Sequence, residues 1–209
     1  MILHDIEQRT AEWYQIRIGK VTGSEFKKVM SKNWMDYADK IAAEQLTGSS
    51  LDDEDGYVSY DMQRGIDLEP LAIAEYEQRN NVQLDRYGFI QSSKFEHLGL
   101  SPDAVGLEVS FGVEIKAPNV ATHIRYIRHD KIPTAYIDQI LCYFVVCDSI
   151  RHVDFVSYCP DLEQYPYWQK RITRDELQTE IEQAEQALTK FFRQVETVKT
   201  LIENEKAPN

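Results

Sequence analysis

The hydrophobic period of this 209-residue chain changes in its middle and changes back again, and that order constrains the fold more tightly than any single motif. Up to about residue 80 the pattern is helical. Glu12–Ile18 and Ser24–Met30 read as short helices, with Ser24 the N-cap after the Thr22-Gly23 turn. Trp34–Leu46 is longer and stops before Gly48, where the acidic loop Ser49–Gly56 begins. Asp61–Asn80 is mainly helical, with Pro70 in a first turn or at a kink. Then Val82–Gln91, Phe95–Leu98 and Phe111–Ala117 read as short strands separated by turn chemistry such as Ser101-Pro102-Asp103. Ala135–Cys147 returns to a buried helix, and His152–Tyr158 alternates as a strand. Helices, a strand meander, then helix–strand–helix predict an α/β (α+β) fold, a sheet flanked by helices.

The last segment predicts a long helix. Leu177, Ile181, Ala184, Leu188, Phe191, Val195, Val198 and Ile202 alternate in steps of four and three. Such a stripe either packs along its own domain or meets another subunit. With no linker or repeat dividing the chain, residues 1–209 are expected to form one domain, with about 174–205 as its C-terminal helix.

Composition enters through charge. A net charge of −12, taken alone, argues against a nucleic-acid binder, because phosphates are held by Lys and Arg. Its distribution reverses that inference. Residues 36–77 carry −10 of the −12, whereas Lys116 to Lys131 carries +3, with His123 and His129 nearby. Charged residues at 28% and aromatics at 11% exclude a mostly disordered chain. No apolar run reaches the ~20 residues of a membrane span, and the first ten residues lack a signal-peptide pattern. Cys142, Cys147 and Cys159 form no pairable framework, so reduced thiols and a cytoplasmic location are expected.

The residues that carry chemistry are Ser101-Pro102-Asp103 and, ten residues on, Glu114-Ile115-Lys116. Residues two apart on a strand share a face, so Glu114 and Lys116 point together while Val113 and Ile115 point into the core. A turn brings Asp103 beside them. Two carboxylates and an ammonium make a hard-oxygen site for Mg²⁺, and phosphodiester hydrolysis uses those parts. The alternative is a surface strand with an ordinary Glu–Lys pair. Glu69 adds a third carboxylate, although by spacing alone it is one acid among twelve in residues 36–77.

Five blocks in order make the chain resemble the lambda-exonuclease-like, YqaJ-type viral recombinase family of the PD-(D/E)xK nuclease superfamily. They are Trp13…Arg17-Ile18-Gly19-Lys20-Val21-Thr22-Gly23-Ser24, Gly65…Glu69-Pro70…Tyr76-Glu77, Gly88-Phe89…Ser101-Pro102-Asp103, Glu114-Ile115-Lys116-Ala117-Pro118 and Pro133…Tyr136…Gln139. The resemblance implies a restriction-endonuclease-like core, with a mixed central sheet flanked by helices. It implies that Asp103, Glu114 and the Ile115 carbonyl ligate metal, that Glu69 helps hold a second ion, and that Lys116 activates the attacking water. Gln139 is expected to face the metal site, and Arg17, Ser24 and Ser101 to form a 5′-phosphate pocket. The implied activity is a Mg²⁺-dependent 5′→3′ exonuclease, with Mn²⁺ able to substitute and two ions expected. It would act on double-stranded DNA ends and leave a 3′ strand for a single-strand-annealing protein. A homotrimeric ring in the cytoplasm of a bacterial host, as a phage or prophage protein, is implied with it. One departure is Ala104 where most relatives carry glycine after the aspartate.

Two other readings stay open at this point. One is a PD-(D/E)xK endonuclease of restriction or junction-resolving type; the other is a non-catalytic acidic DNA mimic, which the −10 segment favours. His97 is a candidate metal contact that is better read as structural. His4, His123, His129 and His152 lack zinc spacing, and the cysteines lack that of an iron–sulfur cluster. Tyr158, Tyr165, Tyr167 and Trp168 are expected to pack rather than stack on bases.

Overall fold

The computed structural model describes residues 1–51 and 59–205; the acidic run Asp52–Asp55 lies outside them. In chain order the elements are β1 (Ile2–His4), α1 (Ala11–Arg17), α2 (Trp34–Thr47), α3 (Tyr60–Asn80), β2 (Leu84–Asp85), β3 (Phe89–Gln91) and β4 (Gly99–Leu100). They continue with β5 (Ala104–Gly106), β6 (Gly112–Lys116), α4 (Val120–His129), α5 (Ile137–Val146), β7 (His152–Tyr158), β8 (Tyr167–Thr173) and α6 (Gln178–Glu205).

Five strands form the main sheet in the order β2-β5-β6-β7-β8, and β1-β3-β4 form a small one. Within the main sheet β6 and β7 are parallel, in register from Gly112↔Val153 to Lys116↔Ser157. A parallel pair needs a crossover, and α4 and α5 supply it. The remaining main-sheet pairs are antiparallel, so the sheet is mixed.

Alternation along β6 sorts its side chains between two layers. Val113 and Ile115 pack with Ala72, Ile73 and Tyr76 of α3 and with Val156. The opposite face carries Val153 and Phe155 against a larger core built from α5, α2 and α6. Asp154, fully buried on the α3 side, is satisfied by Arg171 at 2.8 Å through two nitrogens, by the Tyr76 hydroxyl at 2.7 Å and by the Gln169 amide at 3.0 Å.

Local chemistry explains most helix ends. Thr10 accepts from the Trp13 N–H at 3.3 Å to start α1, and Ser59 accepts from Met62 N–H at 3.2 Å to start α3. Gly48 closes α2 in the left-handed region at φ 67°. Ser24 is not an N-cap: Gly23–Lys28 is a 3-10 turn whose cap position is Thr22. Pro70 stands well inside α3 rather than in its first turn, which removes the N–H that would reach the carbonyl of Ile66.

The strand reading of 82–98 is corrected in two places. Val82–Gln91 splits into β2 and β3, which join different sheets. The next strand begins at Gly99, because Ser92 Oγ accepts from both Lys94 and Phe95 N–H at 3.2 Å and folds 92–95 into a turn.

On α6, Ile181, Ala184, Leu188, Phe191 and Val195 are buried against the core, while Leu201 and Ile202 are exposed. Phe191→Ala should lower unfolding free energy by about 3–5 kcal/mol, the usual cost of emptying a buried aromatic site. Ile202→Ala should leave it within about 0.5 kcal/mol. Urea unfolding followed by circular dichroism separates the two.

Candidate active site

β6 carries the centre of the site. Glu114 has no solvent exposure, which rules out the surface-strand alternative for this pair. Its Oε1 is paired with the Lys116 ammonium two residues on, and its Oε2 accepts from the Tyr143 hydroxyl of α5 at 3.0 Å. The ring of Tyr143 lies against Gly112, where a Cβ would stand 2.6 Å from its Cδ1. Glycine is required there for α5 to come close enough for that hydroxyl to reach Glu114.

Asp103 ends the Ser101-Pro102-Asp103 turn immediately before β5, whose Ala104 pairs with Val113. Its Oδ2 accepts the Ile115 N–H at 2.6 Å, fastening the turn to β6. Asp103, Ile115, Lys116 and Glu69 line one cleft of about 420 Å³, together with Arg9, Asp61 and Tyr136. Glu114 lies beneath it, joined through Lys116.

The charges are strongly coupled. Burial, and then the neighbouring Glu114 with a contribution from Glu69, hold the Asp103 carboxyl well above its ordinary value; Lys116 and the Ile115 N–H work the other way. For Lys116, burial pulls the ammonium down, but Glu114 and Asp103 outweigh it and hold it above its ordinary range. The donor set is hard oxygen throughout, and its carboxylates repel one another. It therefore fits a hard divalent cation by type. Among the described residues no three Asp, Glu, His or Cys side chains are gathered as a ready-made metal cage.

The other candidates are placed less centrally. Gln139, on α5, does not line the cleft; its Cγ lies 3.8 Å from where a Cβ on Gly23 would be. Arg17 and Ser101 are linked through Trp13: the guanidinium carbon sits 3.8 Å from the ring centroid, and the indole N–H donates to Ser101 Oγ at 2.8 Å. Ser24 is exposed, with its Oγ 3.5 Å from that of Thr22. His97 packs near Phe192 of α6, with ring centroids 6.3 Å apart.

Arg9 and Tyr143 are the residues that reading the sequence missed. Tyr143 follows Tyr136 and Gln139 at steps of three and four, a helical face that could have disclosed it. Arg9 had no such signal, since its place depends on a left-handed backbone and on α3, sixty residues away.

The model of the YqaJ-like viral recombinase domain matches residues 12–149. The chain belongs to that family. Among solved structures this YqaJ-like chain is similar to an alkaline exonuclease of Laribacter hongkongensis, at 31% identity and TM-score 0.82, over 95% of this chain and 98% of the other. A second structure of that enzyme, in complex with dAMP, agrees equally well, at TM-score 0.82. A phage-related exonuclease from Haemophilus somnus shares the fold, with TM-score 0.62 and 14% identity over 87% of this chain and 96% of that one. No curated protein sequence matches the chain.

The raised Asp103 carboxyl has a sign for stability. The unfolded chain releases this proton near 3.8, while the folded chain still holds it. Folding therefore loses stability as pH rises through that value, and the loss persists above the folded pKa. In EDTA, Asp103→Asn should raise the melting temperature at pH 8 and leave it nearly unchanged at pH 4. It should also cut nuclease activity by at least about 100-fold, since an amide cannot replace an anionic metal ligand. Thermal unfolding at the two pH values and a digestion assay check the two halves.

Proposed function

We propose that this exodeoxyribonuclease degrades one strand of linear double-stranded DNA from its 5′ end, leaving a 3′ single-stranded overhang for recombination by annealing. The observation that carries this reading is the convergence of Asp103, Glu69, Ile115 and Lys116 in one cleft above the buried Glu114. A DNA mimic would have no use for such a cluster. The dAMP held by the Laribacter hongkongensis enzyme supports release of 5′-mononucleotides. Such a product forms when hydrolysis breaks the bond between phosphorus and the 3′ oxygen.

Asp103, Glu114 and the Ile115 carbonyl would hold Mg²⁺, or Mn²⁺ in its place, and Glu69 would help hold a second ion. A bound ion supplies an activated water and neutralises charge developing on the phosphate. Lys116 Nζ sits beside Glu114 and faces the cleft, where it orients the water or the phosphate oxygen. A bound ion would compete with Lys116 for the Glu114 and Asp103 carboxylates that now hold it. Lys116 would thereby be free to serve the attacking water as a positioned acid–base group. Tyr143 holds Glu114 from beneath, and Gln139, one turn earlier on α5, would have to turn toward the site to serve the metal as the family resemblance implies.

Arg17 over the Trp13 ring and Ser101 at its indole N–H support a guanidinium and a hydroxyl serving a terminal 5′-phosphate, with Ser24 as a further hydroxyl of that pocket. The whole chain acts as one nuclease domain. The working form is a homotrimeric ring in the host cytoplasm, passing its product strand to a single-strand-annealing protein. Family membership supports these assignments, and among the described residues no helix is long and apolar enough to cross a membrane.

The test is a digestion series on 3′-labelled linear duplex with 5′-phosphate or 5′-hydroxyl ends, alongside closed circles. Linear DNA should shorten from the 5′ end, faster with the phosphate, and circles should persist; cut circles would refute the exonuclease reading. Lys116→Ala should reduce turnover by about 10²–10⁴-fold, the range of a positioned acid–base group. Arg17→Ala should erase a preference of about 10–100-fold for phosphorylated ends, the worth of a charge-assisted hydrogen bond. Rates equal to wild type in either variant would remove that residue from its role.

A further inference from the structure

We propose that Arg9 is a substrate-binding residue of the same cleft, holding a phosphate of the strand being cut, apart from the pocket for the terminal 5′-phosphate. The proposal rests on the nuclease reading above.

Arg9 adopts φ 69°, a left-handed conformation that side chains other than glycine and asparagine rarely take. Its neighbours hold it there. The Gln8 amide donates to the Pro102 carbonyl at 2.9 Å, tying the segment to the turn that presents Asp103. Thr10 Oγ1 donates to the Glu7 carbonyl at 2.8 Å while capping α1. Upstream, the Ile6 carbonyl lies so close to Gly88 that a Cβ there would stand 2.2 Å from it. A strained residue fixed on both sides and aimed into a cleft is a feature that serves ligands.

The direction of the side chain supplies the chemistry. The Arg9 guanidinium lines the cleft and faces Glu69 at 3.6 Å, with 45% of its side chain exposed. So long and exposed a pair is weak and readily exchanged. Lys116, the other cation lining this cleft among the described residues, is tied to the buried Glu114. When Glu69 is engaged in holding an ion, Arg9 is left facing the cleft with its charge unmet. A phosphodiester is the anion the cleft admits, and a guanidinium binds its oxygens through paired N–H groups.

Two variants test this. Arg9→Gly keeps the left-handed turn and removes the cation; Arg9→Lys keeps the charge. Binding is read by fluorescence anisotropy on a 3′-labelled duplex in Ca²⁺, across a KCl series, with 5′-phosphate and 5′-hydroxyl ends. Arg9→Gly should weaken binding about tenfold at low salt and flatten the log–log salt slope by about one, the signature of one lost phosphate contact. Both kinds of end should suffer equally, Arg9→Lys should restore the slope, and melting temperatures should stay close to wild type. An unchanged slope overturns the assignment, as does a loss confined to 5′-phosphorylated ends. An unchanged slope with tighter divalent binding in calorimetry reduces Arg9 to a neutraliser of Glu69. Wild-type protein that digests no DNA refutes the nuclease reading, and this proposal with it. Digestion by wild type with unaltered binding in Arg9→Gly refutes this proposal alone.

Discussion

Glu114 is a carboxylate placed where water does not reach, and the cost of several kcal/mol for an uncompensated buried charge governs what surrounds it. One oxygen takes the Lys116 ammonium, which obliges β6 to present both side chains on one face. The other takes the Tyr143 hydroxyl, which obliges α5 to approach β6 closely over Gly112. Asp103 then receives the N–H of the residue between them. One buried charge therefore fixes the relative positions of a strand, a helix and a turn, and these are the pieces that carry the candidate chemistry.

The acid of the first half is put to structural use in places where counting charges could not show it. Glu44 is buried, accepting from the Gly19 N–H at 3.0 Å and the Leu51 N–H at 3.1 Å. Glu77 accepts from Leu84 N–H at 2.8 Å and joins α3 to β2. Asp36 and Asp39 face solvent, and so do Arg125, Arg128 and Lys131 on and just after α4. The opposed charges of the sequence are thus both superficial in part, while several acids serve as internal acceptors.

Much of the fold was legible because the alternation of apolar residues is a local property. His152–Tyr158 was read to the residue, and α2 and α3 nearly so. What escaped was short or dictated from afar. β1 exists through pairing with β3, and β5 through pairing with β6, neither offering enough residues for a period. α4 shows in the sequence only as a basic stretch, although His123 and Tyr126 form its buried face. At the site, Asp103, Glu69, Ile115 and Lys116 were chosen from motif and resemblance, and they share one cleft. The depth of Glu114 and the guanidinium of Arg9 are properties of packing between distant segments. No spacing encodes them.

The pairing of the chain's two ends with its interior bears on how the molecule is made. The apolar face of α2, with Tyr37 and Ile41, shares its core with Phe191 of α6, and those rings of Tyr37 and Phe191 stand 5.4 Å apart. β1 waits for Gln91, and Trp13 waits for Ser101. A ribosome releases these partners well after the segments they complete, so a growing chain carries the apolar face of α2 uncovered until α6 follows. The cleft draws on residues 9 to 136, all of which precede α6. A growing chain of this design therefore holds its cleft residues before it holds the helix that completes its larger core.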